Sequence, residues 1–546
     1  MMQTPKVETG RRGADRKRWW ALIALSAAVL AVGIDLTVLN VALPTLARSL
    51  HASTSQLQWF VDSYSLVLAA LLLPAGLLAD RFGRKRLLLV ALVAFAASSA
   101  ACAYAGSPIA LIATRAVLGA GAAVIMTVSL SILAVLFPTD EERQKATAVL
   151  MACTMVGYPL GPVLGGWLLD HFWWGSVFLI NVPVVAVALV AIAALMPESR
   201  GAHAPRLDGV GVVVSSLGLV AVTYGVIQAG QDGWGSTRAV VALAAAAVAL
   251  FAFIFWERRL VDRNREPLVD LGLFRSARFT WGTVLATMVS FAMFGLLFAM
   301  PQYFQNVMGE NPLGSGIRLL PMVGGLVVGA GLATRLQGSR SRGEPSASSA
   351  SRVGANIVVG IGFAVMAGGL LIGAATAVGS GTGRAALWFA ISGFGLGFVL
   401  PASMNAALGA LAPERAGIGS GLIMACRQIG ATIGVALLGT VMNSVYRRHV
   451  GVGGLPASVA QVVRQGVAGG MSVARQLSDT VLAASVRSAF VNALDVMLLV
   501  CAGIAIAAMA LALLFLPRRE ATALTRATLP TLEPAVSSEV GVGSDD

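Results

Sequence analysis

Two of the ionisable residues in this 546-residue sequence lie deep inside long apolar stretches that are far apart in the chain, where a charge is costly. Asp35 belongs to the first stretch and Arg115 to the fourth, and ionisable side chains in such segments usually mark ion or proton pathways. The first stretch starts at Trp19 and the fourth at Pro108. At about 1.5 Å per helical residue, Asp35 lies about 24 Å from the start of its stretch and Arg115 about 10 Å from the start of its own. If the two helices run in opposite directions, these side chains lie at a similar depth.

A carboxyl group beside a guanidinium can carry a proton under conformational control. Desolvation favours the neutral form of a carboxyl group, and a nearby guanidinium favours its charged form. If spans 1 and 4 also face each other, as the family resemblance given below implies, Asp35 and Arg115 are predicted to couple proton movement to a conformational change, with a cation competing for the same carboxylate. Two alternatives stay open: Asp35 only forms hydrogen bonds with Thr37 or Asn40, or Arg115 extends its side chain to the membrane interface.

The composition places the whole chain in a membrane. Apolar residues make up 57% of the sequence and charged residues 12%, whereas soluble domains carry about 25% charged residues. Apolar stretches of about 20 residues recur, each long enough to cross a hydrocarbon core of about 30 Å as a helix. The sequence therefore predicts an all-α polytopic membrane protein and excludes an ordinary soluble enzyme.

Fourteen membrane spans are predicted from the apolar stretches. They are 19–46, 57–79, 87–105, 108–137, 146–169, 175–196, 208–229, 239–256, 279–305, 313–334, 354–378, 385–411, 417–445 and 489–516. Lys and Arg are concentrated in the loops of one side, which predicts a cytoplasmic N-terminus and a cytoplasmic C-terminus. Because orientation accounts for most of the net charge of +13, we do not expect a nucleic-acid partner.

The loop between spans 2 and 3 carries the strongest local motif. Its residues are Gly76, Asp80, Arg81, Gly83, Arg84 and Lys85. The glycines allow close helix approach and a tight reversal, and the carboxylate can pair with an arginine or face a helix N-terminus. A plain alternative is a basic loop that happens to contain an aspartate. In its order of residues the loop resembles the signature loop of the major facilitator superfamily, which implies a role in gating and conformational change.

Span 5 carries a second motif of small residues and prolines. It consists of Gly157, Pro159, Gly161, Pro162, Gly165 and Gly166. Glycines at a spacing of four form a smooth face for a neighbouring helix, and prolines bend a helix by removing hydrogen bonds. Together with the stretches around Asp35 and Arg115, this span resembles the fourteen-span drug:proton antiporters of the QacA and EmrB group. The resemblance covers about residues 20–516 and implies antiport driven by a proton gradient, without a cofactor.

The resemblance also implies a layout of six, two and six spans. The expected parts are a basic tail (1–18), a first six-helix half (19–200), an inserted helix pair (201–260), a second half (261–516) and a disordered cytoplasmic tail (517–546). Within the second half, residues 446–488 form a long outer loop whose charges make a fifteenth span too costly. The loop after span 10 lacks the aspartate of the superfamily motif, which weakens any expectation of symmetric gating contacts.

Several further polar residues are candidates for a central cavity. They are Asn40, Gln302, Tyr303, Arg427, Gln428 and Asp495. Arg427 lies near the predicted midplane and needs a partner or a wet cavity, so a structural or gating role is the expectation. For Asp62 and Asp495 we expect solvated helix ends or helix caps.

The aromatic face of span 9, with Phe291, Phe294 and Phe298, suits a lipophilic ligand, although packing against lipid is the favoured interpretation.

These observations predict a multi-pass protein of the bacterial cytoplasmic membrane that exports amphipathic, cationic drugs or antibiotics as a monomer. Its other partners are protons and the lipid bilayer. A dedicated exporter of one endogenous product is the main alternative, because the coupling residues are shared. A membrane enzyme or sensor is disfavoured, because the sequence contains no HExxH, GxSxG or GxxxxGK[ST] motif and no His or Cys spacing typical of a metal site.

Overall fold

The computed structural model describes residues 6–137, 139–200, 208–263, 265, 268–269, 271–337, 354–376, 381–411 and 416–517. Over these residues the chain is helical and contains no β-strand. The predicted disordered tail, apart from Pro517, and most of the loop after span 10 lie outside the described residues.

Seventeen α-helices form the described part of the chain. They are α1 (Lys6–Ser49), α2 (Thr54–Phe82), α3 (Arg84–Ala103), α4 (Pro108–Leu136), α5 (Asp140–His171), α6 (Ser176–Leu179), α7 (Asn181–Leu195), α8 (Gly209–Asp232), α9 (Thr237–Asp262), α10 (Ala277–Gln302), α11 (Pro312–Gln337), α12 (Ala355–Gly373), α13 (Thr382–Leu408), α14 (Ala416–His449), α15 (Ala457–Arg464), α16 (Val467–Gln476) and α17 (Thr480–Phe515). A 3-10 helix (Leu271–Arg275) precedes α10, and a π-helical turn (Tyr303–Val307) follows it.

Local sequence accounts for several helix starts. Ser53 caps α2 and exchanges hydrogen bonds with Gln56 in a capping box, which satisfies two backbone groups at the helix N-terminus. Ser107 caps α4 directly before Pro108, a residue suited to the first helical position. Asp479 caps α17 by accepting from two backbone N–H groups.

The helices match the predicted spans with two corrections. Each predicted span overlaps a helix over most of its described length, although span 6 is divided between α6 and α7. The last helix starts at Thr480 rather than near 489, because Asp479 caps it ahead of the apolar run. In the described part of the chain, twelve helices are long and apolar enough to cross a membrane, and α2, bent by 55°, makes a thirteenth.

The two halves of the molecule repeat one packing scheme. In the first half, α1 packs against α5, α2 against α4, and α3 against α4 and α7. In the second half the corresponding contacts are α10 with α14, α11 with α13, and α12 with α13 and α17. The halves meet where α2 contacts α14 and where α5 contacts α11. This repeat is the arrangement expected of a transporter built from two related bundles.

The face that carries the α1–α2 turn is called the outer face below, following the predicted orientation. Hydrogen bonds join the two halves close to this face. They run from Gln58 Nε2 to Ala436 O (3.0 Å), from Gln305 Nε2 to Val41 O (2.8 Å), from Asn311 Nδ2 to Asp170 Oδ2 (2.6 Å) and from Thr54 Oγ1 to Gln465 O (2.7 Å). The structure therefore represents a conformation in which the halves are closed together at the outer face.

Candidate functional site

Asp35 and Arg115 form a buried ion pair inside the first half. Asp35 Oδ2 lies 2.7 Å from Arg115 Nη1, and the exposed fractions of the two residues are 0% and 1%. Helix α1 supplies the carboxylate and α4 the guanidinium. Buried charges are stable only when they are paired and hydrogen-bonded, so this pair organises its surroundings.

Four further groups surround the pair, and two of them form hydrogen bonds with it directly. Asn181 Nδ2 donates to Asp35 Oδ1 at 3.0 Å and lies 3.2 Å from Ser99 Oγ. Arg115 Nε donates to Phe60 O at 3.1 Å, and its guanidinium lies 4.3 Å from the centroid of the Tyr64 ring. The resulting polar network joins α1, α2, α3, α4 and α7.

The network contains residues that the sequence analysis did not select. Asn181, Ser99 and Tyr64 are all buried. Asn181 and Ser99 are polar residues in otherwise apolar spans, and this signal could have identified them. Their pairing with Asp35 could not have been identified, because Asn181 lies 146 residues further along the chain.

The position of Asp35 limits how a substrate can influence it. With no exposed surface, the carboxylate cannot contact a substrate in this conformation. Direct competition between a cation and the proton would first require a movement of α1 relative to α4 and α7. A connection through the helix itself is simpler, because Thr37 Oγ1 donates to Tyr158 O of α5 at 3.1 Å.

The predicted gating loop holds α2, α3 and the end of α7 together. Asp80 Oδ1 pairs with Arg84 Nε at 2.9 Å, and Lys85 Nζ donates to Ala193 O at 2.7 Å. Gly83 has a φ of 104°, a conformation that favours glycine. A Cβ atom at Gly83 would also lie 2.7 Å from Glu198 Oε1.

Glu198 is a partner of this loop that the sequence analysis missed. Its Oε1 accepts from the Lys85 backbone N–H at 3.1 Å, and its Oε2 lies 3.6 Å from Arg86 Nε. Arg81, by contrast, is exposed and contacts the ring of Phe82. At the start of the motif, a Cβ atom at Gly76 would lie 3.3 Å from Thr127 Cγ2, which shows close packing of α2 on α4.

Replacing Asp80 with asparagine is expected to slow turnover severalfold while substrate binding persists. The substitution weakens the pairing with Arg84, and such partly exposed ion pairs contribute only about 0–1 kcal/mol to stability. Substrate binding and transport rate should be measured separately, with Asp262→Asn, the same substitution at an exposed aspartate outside the motif, as the control. Lost binding with normal turnover would contradict a gating role for Asp80.

The span 5 motif brings α5 into backbone contact with two helices. Cβ atoms at Gly157, Gly161 and Gly165 would meet α1 at Gly33, Ile34 and Val38, and one at Gly166 would meet Leu313 of α11. The carbonyl group of Pro162 packs against Gly316 of α11, and Pro159 lies in the sequence between Gly157 and Gly161, two of the glycines that meet α1. Small residues therefore let α5 pack closely against α1 of its own half and against α11 of the other half.

Comparison with known proteins identifies the family of this chain. Residues 25–435 match the Major Facilitator Superfamily. The chain belongs to the major facilitator superfamily. It is therefore a multi-pass membrane transporter, and its bacterial relatives place it in the cytoplasmic membrane.

Several curated relatives are named for drug or antibiotic export. The chain is 34% identical to the tetracenomycin C resistance and export protein of Streptomyces glaucescens, over 80% of this chain and 78% of that protein. It is 34% identical to the multidrug efflux pump LfrA of Mycolicibacterium smegmatis, over 87% and 91% of the respective chains. The methylenomycin A resistance protein of Streptomyces coelicolor is 31% identical, over 81% and 89%.

Solved structures agree on the superfamily fold. A bacterial homologue of the human lysosomal transporter Spinster, in an inward-facing and occupied conformation, aligns with a TM-score of 0.65 and 16% identity. The alignment covers 91% of this chain and 96% of that one. At this level of identity the similarity establishes the fold alone.

The cavity candidates of this superfamily member differ in their surroundings. Asn40 and Gln302 are buried and donate to carbonyl groups of their own helices, and Tyr303 is buried in the π-helical turn. Gln428 Nε2 and Asp495 Oδ1 are buried atoms without a hydrogen-bond partner in the described part of the chain. A cavity role for these residues stays a prediction.

Arg427 is held by neutral groups. Its Nε donates to Ser290 Oγ at 3.1 Å, and its Nη1 lies 3.5 Å from Met424 Sδ. No carboxylate of the described residues pairs with it. The structural or gating role expected for Arg427 stays a prediction.

Three expectations about the spans are wrong. Asp62 is not a solvated helix end, because it is completely buried and both carboxylate oxygens lack a partner in the described residues. Asp495 lies well inside α17, because that helix starts earlier than the apolar run suggested. Phe294 and Phe298 do not face lipid, since α10 is a central helix that buries both rings.

Proposed function

We propose that this transporter exports amphipathic, cationic drugs or antibiotics across the cytoplasmic membrane in exchange for protons. The buried pair of Asp35 and Arg115 carries the proposal, because a carboxylate in this position is the type of group that a transporter uses to bind a proton. The relatives named for drug export and antibiotic resistance support export as the direction of transport and drugs or antibiotics as the substrates.

Helix α1 is the proposed connection between the proton and the gate. Within seven residues it carries Asp35, then Thr37, which contacts α5, and Val41, whose carbonyl group accepts from Gln305 of the second half at 2.8 Å. Protonation of Asp35 would weaken its attraction to Arg115 and free α1 to move relative to α4. Such a movement would loosen the contacts that close the outer face.

Asp62 is a second candidate for proton binding. It lies on α2, one helical turn after Gln58, which bonds to α14 of the second half. Four residues further on, Leu66 packs with Leu219 of α8 and Ile429 of α14. The spacing places Asp62 on the same face of α2, where a change in its charge would affect the contact between the halves.

The proposal includes fourteen spans with both termini in the cytoplasm and a monomeric transporter. In this topology α5 is a span despite its two prolines, and α8 and α9 are the inserted pair. In a variant without the four native cysteines, single cysteines introduced at Ser53 and Ser236 should react with a membrane-impermeant thiol reagent added to whole cells. A cysteine at Ser199 should react only after the membrane is permeabilised. Labelling of Ser199 from outside would contradict the orientation.

Purified protein in liposomes tests the transport reaction. With an acidic lumen, ethidium should accumulate inside, and a protonophore should release it. Protein-free liposomes treated in the same way are the control. Ethidium movement that is equal with and without the pH gradient would contradict proton coupling.

The second candidate function is the dedicated export of one endogenous product. It is favoured by the relatives named for single antibiotics, tetracenomycin C and methylenomycin A. A pump-deficient bacterial host that expresses the chain should be tested against dyes, quaternary amines and antibiotics. Resistance to several chemical classes supports broad efflux, and resistance confined to one compound supports the dedicated exporter.

A further inference from the structure

A cavity of about 530 Å³ lies at the outer face, away from the Asp35 network. Its wall is formed by the end of α1, the segment between α10 and α11, α16 and the first turns of α17. Five charged residues line it: Arg48, Glu310, Arg475, Asp479 and Arg487. The volume lies in the range of small-molecule sites.

The two carboxylates of this outer cavity are already engaged. Glu310 Oε1 lies 2.6 Å from Arg318 Nη2. Asp479 Oδ1 accepts from the backbone N–H groups of Val481 and Leu482, both at 2.9 Å. Neither carboxylate forms an ion pair with an arginine that lines the cavity.

The three arginines of the cavity have no acidic partner in the described part of the chain. Arg48 donates to Pro44 O and Thr45 Oγ1 of its own helix, and Arg475 Nε donates to Met471 O at 3.1 Å. Arg487 Nε is buried and has no hydrogen-bond partner. Arg48 and Arg475 both line this cavity, and their two positive charges repel each other.

We propose that this outer cavity binds an anion that carries a phosphate group. Guanidinium groups present planar, forked N–H donors that match phosphate oxygens. A bound phosphate group would relieve the repulsion between Arg48 and Arg475 and supply an acceptor for Arg487. Either free phosphate or the headgroup of an anionic phospholipid has this chemistry.

The three arginines come from both halves of the molecule, which gives the site a role in the transport cycle. Arg48 belongs to the first half of the molecule, and Arg475 and Arg487 belong to the second. An anion bound by all three holds the halves together at the outer face. It therefore favours the closed outer conformation, since a ligand stabilises the state in which all of its contacts are present.

Binding to purified protein tests the site without measuring transport. Sodium phosphate should bind and raise the melting temperature relative to sodium chloride of equal ionic strength. Each of Arg48→Gln, Arg475→Gln and Arg487→Gln should weaken binding about tenfold, because each removes a charge-assisted hydrogen bond. Arg464→Gln, on the exposed side of α15, is the matched control and should bind as the original chain does.

A second arm distinguishes the two sources of the phosphate group. Dihexanoyl phosphatidylglycerol replaces inorganic phosphate, with dihexanoyl phosphatidylcholine as the zwitterionic comparison. Binding of inorganic phosphate assigns the site to a free anion, and binding of phosphatidylglycerol alone assigns it to a headgroup. The proposal is overturned if neither probe binds better than its comparison, or if the arginine variants bind as tightly as Arg464→Gln. If Arg48→Gln alone leaves binding unchanged, the inference that the anion holds the two halves together is wrong.

Discussion

Replacing Asp35 with asparagine is expected to abolish transport driven by a pH gradient. Asparagine has nearly the same shape and keeps an acceptor for Arg115, but it cannot take up and release a proton near neutral pH. Exchange of labelled for unlabelled substrate across the membrane at equal pH should persist. The expected result is therefore a loss of accumulation with retained exchange.

The Asp35 variant carries a cost in stability that must be measured alongside transport. Removing one partner of a buried ion pair leaves the other charge uncompensated and typically costs about 3–5 kcal/mol. The loss should be smaller here, because Arg115 keeps Phe60 O and the ring of Tyr64 as neighbours. A thermal melting curve shows whether the Asp35 variant is folded. If it is not, the double variant Asp35→Asn with Arg115→Gln removes both buried charges and is tested in its place.

The control for Asp35 is an aspartate that is exposed and distant from the network. Asp262 at the end of α9 meets this requirement, and Asp262→Asn should transport at the normal rate. If Asp35→Asn, once shown to be folded, accumulates substrate at the rate of the Asp262 variant, the proton-coupling role of Asp35 is wrong.

Replacing Gly161 with alanine is expected to have the second large effect. A Cβ atom there would overlap Thr37 Oγ1 and lie 2.8 Å from Ile34 O of α1. Because backbone atoms cannot move away as a flexible side chain can, α5 must shift relative to α1. Overpacking of this kind costs about 1–3 kcal/mol, and the shift also disturbs the hydrogen bond from Thr37 to Tyr158.

The Gly161 variant should melt at a lower temperature and export poorly. Gly368→Ala in α12 is the matched control, because a Cβ atom at that helical glycine meets nothing within 4 Å. Alanine is favoured over glycine in a helix by up to about 1 kcal/mol, so the control should be as stable as the original chain or slightly more. Equal melting temperatures and transport rates in both variants would contradict the close-contact role of Gly161.

The proximity of Asp35 and Arg115 shows what sequence spacing can predict. Counting helical rise placed both residues at a similar depth, and the structure confirms that they are in contact. The calculation works because a membrane gives every span a common start and a common length. It provides depth but no direction around the helix, so Asn181 was not assigned as the second partner of Asp35.

Asp62 and Phe298 show where the same reasoning fails. The short distance of Asp62 from the end of its predicted span suggests a position near water. The aromatic face of span 9 suggests that Phe298 packs against lipid. Both residues are buried, because α2 and α10 pack against helices on several sides. An apolar sequence in a membrane protein is compatible with lipid or with protein contact, so burial cannot be read from hydropathy alone.

The sequence by itself determined the membrane class, the helical positions of the spans, the gating-loop and glycine motifs, and the superfamily. These properties depend on local hydropathy and on residues close together in the chain. Only the tertiary structure decided which groups satisfy Asp35, that the halves are joined at the outer face, and that three arginines meet there without acidic partners. These properties depend on the rotation and packing of helices distant in sequence, which residue spacing within one helix does not specify.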